Sequence, residues 1–125
     1  MAARALLVGA GGFIGASARY LLGGLIYRFL PSQFPYATVF INVSGCFGIG
    51  FLAALVDQGL AGPGARLFWM IGVLGGYTTF STFGYETMTL ARDGSYLLAA
   101  ANVAGQVFLG LLAVWCGAVV ARGLT

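Results

Sequence analysis

The side chains able to do chemistry in this chain are neutral hydrogen-bonding groups set inside long apolar stretches. Thr38 and Asn42 stand four residues apart, as do Asn102 and Gln106, and Gly110 continues the second series. That spacing places each set on one helical face. A denser group runs Gly75-Gly76-Tyr77-Thr78-Thr79-Phe80-Ser81-Thr82-Phe83-Gly84-Tyr85-Glu86. The two stripes offer hydroxyls and amides and no carboxylate; Glu86 sits near the end of the dense segment. Donors without negative charge suit an anion. Phe80 and Phe83, three apart, share a face, and aromatic ring edges carry partial positive charge from the quadrupole. Ring edges and amide donors together can replace part of a small anion's hydration shell. Composition alone does not name the ion.

These groups must be positioned in lipid. Of 125 residues, 60% are hydrophobic and 7% charged, against ~25% charged in a soluble domain, and the mean hydropathy is +0.95. A spanning helix needs ~20 mostly apolar residues. The chain holds four such runs, over 5–27, 36–56, 67–91 and 96–121, in one membrane domain covering 1–125. Pro31, Pro35, Asp57-Gln58-Gly59, Gly62-Pro63-Gly64 and Arg92-Asp93-Gly94-Ser95 separate them. The first run continues past Arg19 to Tyr27 and is glycine-rich, so it reads as a span and not a cleaved signal. In span three, two glycines followed by two β-branched threonines are a poor mid-helix sequence. Either the helix breaks near the membrane midplane or it kinks. Carbonyls freed by a break are tolerated at that depth only inside protein or along a cavity, and unwound carbonyls can hold a cation. A single amide in a span can be no more than an interhelical bond of ~0.6 kcal/mol. Two stripes facing a broken helix favour a lined pathway.

The charges are scattered singly: Arg4, Arg19, Arg28, Arg66, Arg92 and Arg122 against Asp57, Glu86 and Asp93. That dispersion excludes the basic patch of a nucleic-acid binder. Cys46 and Cys116 lie in apolar runs without the short-spaced partners a metal needs and read as packing residues. Arg4, Arg66 and Arg122 flank one side of the membrane, Arg28 and Arg92 the other. Topology follows arginine and lysine excess in short loops, and here the bias is slight, which makes an antiparallel homodimer physically natural; the alternative is a single orientation decided by that weak bias. Arg19 falls within span one, where it either faces an aqueous vestibule or pairs with Glu86 or Asp93. The 21 glycines support close helix packing through small residues, with Gly11 and Gly15 as a GxxxG pair.

The segment Gly75 to Phe83 resembles the GG-x-TTFSTF signature of the Fluc (CrcB) family of fluoride channels. Thr38, Ile41 and Asn42 resemble that family's span-two segment, and Gly15 to Tyr20 its span-one motif. The resemblance covers nearly the whole chain. It implies an all-α, dual-topology antiparallel homodimer with a broken third helix and two fluoride pathways between subunits, without a catalytic cycle. It implies that Phe80 and Phe83 form an aromatic box, that Asn42 donates to fluoride with Thr38 nearby, and that Ser81 and Thr82 add hydroxyls. It further implies that Glu86 lies towards one mouth and that a structural Na⁺ is held at the dimer centre by the Gly75 and Thr78 carbonyls. In span four, Asn102, Gln106 and Gly110 depart in detail from the family's track. The expected function is passive export of fluoride from the cytoplasm across a prokaryotic inner (plasma) membrane. The alternatives are a small multidrug-type four-span transporter, which requires an acid that span one lacks, and a non-transporting membrane scaffold subunit.

Overall fold

The structure, a computed structural model, describes residues 1–125 and is all-helical. Helix α1 covers Ala2–Ile26 and α2 covers Tyr36–Asp57. An interrupted helix follows: α3 (Pro63–Ala65), a π-helical stretch (Arg66–Leu74), α4 (Gly75–Tyr77) and, after a two-residue break, α5 (Phe80–Arg92). Helix α6 closes the chain over Tyr96–Gly123. Helices α1, α2 and α6 are each long and apolar enough to cross a membrane. The 22 residues of α2 extend roughly 33 Å, enough for a hydrocarbon core of about 30 Å. The protein is thus a multi-pass membrane protein, with three helices long enough to cross and a broken helix between α2 and α6.

Both α2 and α5 end on glycines held at positive φ, Gly59 at 72° and Gly94 at 82°. At each end a pair of backbone bonds closes the last turn: Leu60 N–H to the Leu55 carbonyl at 2.9 Å with Gly59 N–H to Val56, and Ser95 N–H to the Leu90 carbonyl at 2.8 Å with Gly94 N–H to Ala91. Only a residue without Cβ takes that left-handed position at little cost.

Two glycine seams hold the bundle. Helix α1 lies against the π-helical stretch and α4, where a Cβ on Gly11 would come within 2.9 Å of Val73 N and one on Gly15 within 2.8 Å of Tyr77 N. Helix α2 lies against α6, where a Cβ on Gly50 would meet the Val114 carbonyl carbon at 2.8 Å and one on Gly117 would meet Phe51 N at the same distance. Backbone packs directly on backbone, so dispersion can act where lipid removes any hydrophobic drive. The GxxxG pair of span one is therefore spent within the chain. Polarity is inverted relative to a soluble domain: the buried set contains alanines and Ile41 together with Thr38, Thr79, Asn102 and Gln106, while Phe108 and Trp115 are exposed. Cys46 and Cys116 are free thiols.

Candidate functional site

The site is organised by the break. Thr78 (φ −80°, ψ 157°) and Thr79 (φ −149°, ψ 114°) are extended, as their branched Cβ atoms favour. The alternative of a continuous kinked helix is thereby excluded. Thr79 then caps α5: its Oγ1 accepts from Thr82 N–H at 3.3 Å and donates to Thr82 Oγ1 at 3.0 Å. Thr78 closes the preceding piece, with its N–H at 3.0 Å and its hydroxyl at 2.9 Å from the Leu74 carbonyl. Tyr77 pairs its hydroxyl with Ser44 of α2 at 2.9 Å.

Asn42 of α2 clamps the break. Its Oδ1 accepts from Thr79 N–H at 2.8 Å and its Nδ2 donates to the Thr79 carbonyl at 3.0 Å, so one amide satisfies both backbone groups of an extended residue. The other Nδ2 proton goes to Gln106 Oε1 at 2.7 Å. Gln106 Nε2 donates to Asn102 Oδ1, one turn along α6, at 2.9 Å. Asn102 Nδ2 in turn donates to Thr87 Oγ1 at 2.9 Å, and Thr87 donates to the Phe83 carbonyl at 2.7 Å. Asn102 is fully buried, with 0% of its surface exposed. No buried side-chain polar atom lacks a partner. The stripes of spans two and four thus do converge on the break, and in the protomer their donors are engaged with one another.

Two open cavities adjoin the break. One, of 960 Å³, is lined by Arg19, Tyr20 and Arg28 from the first span and the loop after it, together with Thr38, Thr79, Thr82 and Glu86. Thr38 donates to Glu86 Oε1 at 2.5 Å, within the short range of hydroxyl–carboxylate bonds. A carboxylate therefore does touch the span-two stripe, contrary to the separation read from the sequence. The break re-aims α5, so Glu86 is brought onto α2 nearly 50 residues away in sequence, a separation of 48. Arg19 lies on the cavity wall facing the same space as Glu86. The second cavity, of 320 Å³, is a groove lined by Asn42, Gly75, Thr78, Thr79, Phe80, Phe83 and Gln106 among others. Thr79 lines both cavities. The Phe80 and Phe83 rings stand 5.6 Å apart at 47°, and Phe80 is 84% exposed. Ser81 is exposed too, outside both cavity linings.

The break also alters the carbonyls expected to hold a cation. In an α-helix the Gly75 carbonyl accepts from the N–H of Thr79 and the Thr78 carbonyl from that of Thr82. Here those two donors go to Asn42 Oδ1 and Thr79 Oγ1 instead. Both carbonyls lose their helical partners, which suits oxygen coordination of a hard monovalent cation. The chain has no cluster of acidic, cysteine or histidine ligands for a different metal.

The chain matches the family described as "CrcB-like protein, Camphor Resistance (CrcB)" over residues 6–118. It belongs to the CrcB family. Among relatives, it is 48% identical over 118 residues to a protein of Solibacter usitatus, covering 94% of this chain and 97% of that one. It is 48% identical over 112 residues to one of Elusimicrobium minutum, covering 89% and 87%, and 42% identical over 118 residues to one of Chlorobium phaeobacteroides, covering 94% and 91%. Each of these relatives is named "Fluoride-specific ion channel FluC". CrcB-family chains are accordingly channels and not enzymes.

Two residues of this CrcB-family site were outside the set expected from sequence. Thr79 supplies the clamped backbone, the α5 cap and a wall of both cavities; its place inside the Thr-Thr pair was the available signal. Thr87 ends the α6 hydrogen-bond series, and its four-residue step from Phe83 was the only hint.

Proposed function

We propose that two copies of this chain form an antiparallel, dual-topology homodimer that conducts fluoride passively out of the cytoplasm across the inner (plasma) membrane of a prokaryote. Each of two pathways passes a vestibule at Arg19 and Glu86 and then the groove at Asn42, Phe80 and Phe83, with Thr38, Ser81, Thr82, Gln106 and Asn102 contributing along it. The relatives' names support the ion. The geometry supports the route, because Thr79 borders both the arginine-lined cavity and the aromatic groove.

One observation carries the dimer. Gly75 is exposed, and the carbonyls of Gly75 and Thr78 lack their helical donors beside an exposed Phe80. Lipid offers no hydrogen bond to such groups, and non-helical backbone at membrane depth requires protein or water around it. A second copy on this face covers the break and brings the same carbonyls from both chains together. Sodium bound there supplies the positive charge that offsets converging carbonyl dipoles. This chain's Gly75 and Thr78 would hold it by backbone oxygen alone, independent of side-chain ionisation.

Selectivity follows from ion size and hydration. Fluoride gives up water only for short, well-directed donors. Asn42 and Gln106 both line the groove, and an anion there competes with Gln106 Oε1 for the Asn42 Nδ2 proton it now accepts. Ring edges of Phe80 and Phe83 add positive potential without a fixed charge that would trap the ion. Arg19 and Arg28 raise anion concentration at the entrance.

The test is efflux from liposomes reconstituted with the purified protein, followed with a fluoride electrode and a chloride control. Fluoride efflux far above chloride efflux is expected, and a single-site cross-link between antiparallel copies should form in the membrane. Absent fluoride efflux, or equal chloride efflux, rejects the reading.

A further inference from the structure

We infer that Thr87 is a positioning residue, the anchor of a hydrogen-bond relay through Asn102 and Gln106 that fixes which way the Asn42 amide points. The inference rests on the fluoride-channel reading above.

The relay has two fixed ends. At one, the Phe83 carbonyl can only accept, so Thr87 donates its single proton there at 2.7 Å. Its oxygen is then left as an acceptor, and Asn102 Nδ2 fills it at 2.9 Å. At the other end, Thr79 N–H can only donate, so Asn42 must present Oδ1 to it at 2.8 Å. Asn42 Nδ2 is thereby turned to the Thr79 carbonyl and to Gln106 Oε1, at 3.0 and 2.7 Å. Between the ends, Gln106 Nε2 donates to Asn102 Oδ1 at 2.9 Å. Every amide has its orientation set from both directions. Rotating Asn102 or Gln106 by half a turn places like against like at two joints, and rotating Asn42 does so at three.

Burial gives the relay its force. Asn102 is fully buried and Gln106 is 9% exposed, so neither can exchange a lost partner for bulk water. The series spans α5, α6, α2 and the break. It therefore ties the backbone of Phe83, one member of the aromatic pair, to the amide that clamps Thr79. Thr87 lines neither cavity described above and acts only through its neighbours.

Helix α5 supplies its own control. Thr89 makes the same bond to the carbonyl four residues back, from Oγ1 to Tyr85 at 2.9 Å, but that bond is exposed and the hydroxyl receives no amide. Thr87→Val keeps the side chain's shape and removes both relay bonds. Thr89→Val removes an equivalent back-bond without touching the relay.

The experiment measures fluoride efflux per reconstituted protein, with gel filtration of each variant in detergent. Thr87→Val should lower efflux about tenfold while eluting like the parent, Thr87→Ser should restore it to within about twofold, and Thr89→Val should leave it unchanged. Asn102→Leu opens the same relay one joint later. It should match Thr87→Val, and the double variant should be no worse than either, because groups acting through one series are not additive. If Thr87→Val does not assemble, Asn102→Leu and Thr87→Ser decide the matter alone. Parental efflux in Thr87→Val or Asn102→Leu overturns the relay. So does a loss in Thr87→Ser equal to that in Thr87→Val, or an equal loss in Thr89→Val. A parent that conducts no fluoride instead overturns the channel reading and leaves the hydrogen-bond series to be followed by the amide exchange of Asn42 and Asn102, which Thr87→Val should accelerate and Thr89→Val should not; equal exchange in the two variants overturns the relay.

Discussion

The two faces of α2 are built on opposite principles. On the face that meets α6 at Gly50 and Gly117, backbone approaches backbone and no side chain intervenes. On the face that meets the break and α5, contact is made by Asn42 and Thr38, each through a hydrogen bond. The first kind of contact tolerates no added atom, because the obstacle is main chain. The second requires the right donor opposite the right acceptor, and at Gly45 it too lacks room, because a Cβ there would collide with the Thr78 side chain. Glycine seams hold the helices at fixed separation, and the amide face holds the backbone of the break.

The largest effect should come from violating the seam. Gly15→Leu drives a branched side chain into Val73 and Tyr77 backbone, and overpacking of that kind costs at least ~1–3 kcal/mol; the variant should fail to give a folded peak in gel filtration. A folded, conducting Gly15→Leu would show that the seam yields more readily than its geometry implies.

Next comes the amide face. Asn42→Ala leaves Thr79 N–H and its carbonyl without partners, each such loss costing about 1–3 kcal/mol, so fluoride efflux should fall by on the order of tenfold or more. Phe80→Ile keeps an apolar side chain and removes the ring edge, and a comparable fall is expected in the same efflux assay. If Asn42→Ala conducts normally, the clamp is not what shapes the route.

Thr38→Val is a smaller perturbation. It removes the bond to Glu86 at the edge of a wide cavity, where water can replace it, so the loss should be limited to roughly 0.5–1.5 kcal/mol, a few-fold in efflux. The smallest effect is expected from Gly9→Ala. No atom lies within 4 Å of a Cβ built there, and the change should stay within about 0.5 kcal/mol when thermal unfolding is followed in detergent. A large loss in that variant would reveal a contact of Gly9 with a second copy.

The particular residues show why some of this was readable in advance. Gly75-Gly76 followed by Thr78-Thr79 marks a break or a kink because propensity is local, and the structure has the break, at Thr78 and Thr79. Asn42, Asn102 and Gln106 announce buried polar contacts because lipid penalises them elsewhere, and all three are engaged. Their partners were not readable. Restarting the helix at Phe80 resets its rotation, so no periodicity carried through from Leu67 indicates that Glu86 faces Thr38 or that Thr87 faces Asn102. The π-helical stretch over Arg66–Leu74 was hidden for a related reason, since its 9 residues look like ordinary apolar helix.

Composition and local propensity determined that this chain lives in lipid, how many times it turns, and where its third span gives way, because each depends on solvation or on neighbours within a few residues. The tertiary structure alone decided which donor meets which acceptor. That choice depends on how far each helix is rotated and shifted against the next, and both quantities emerge only when glycine seams bring the backbones into contact.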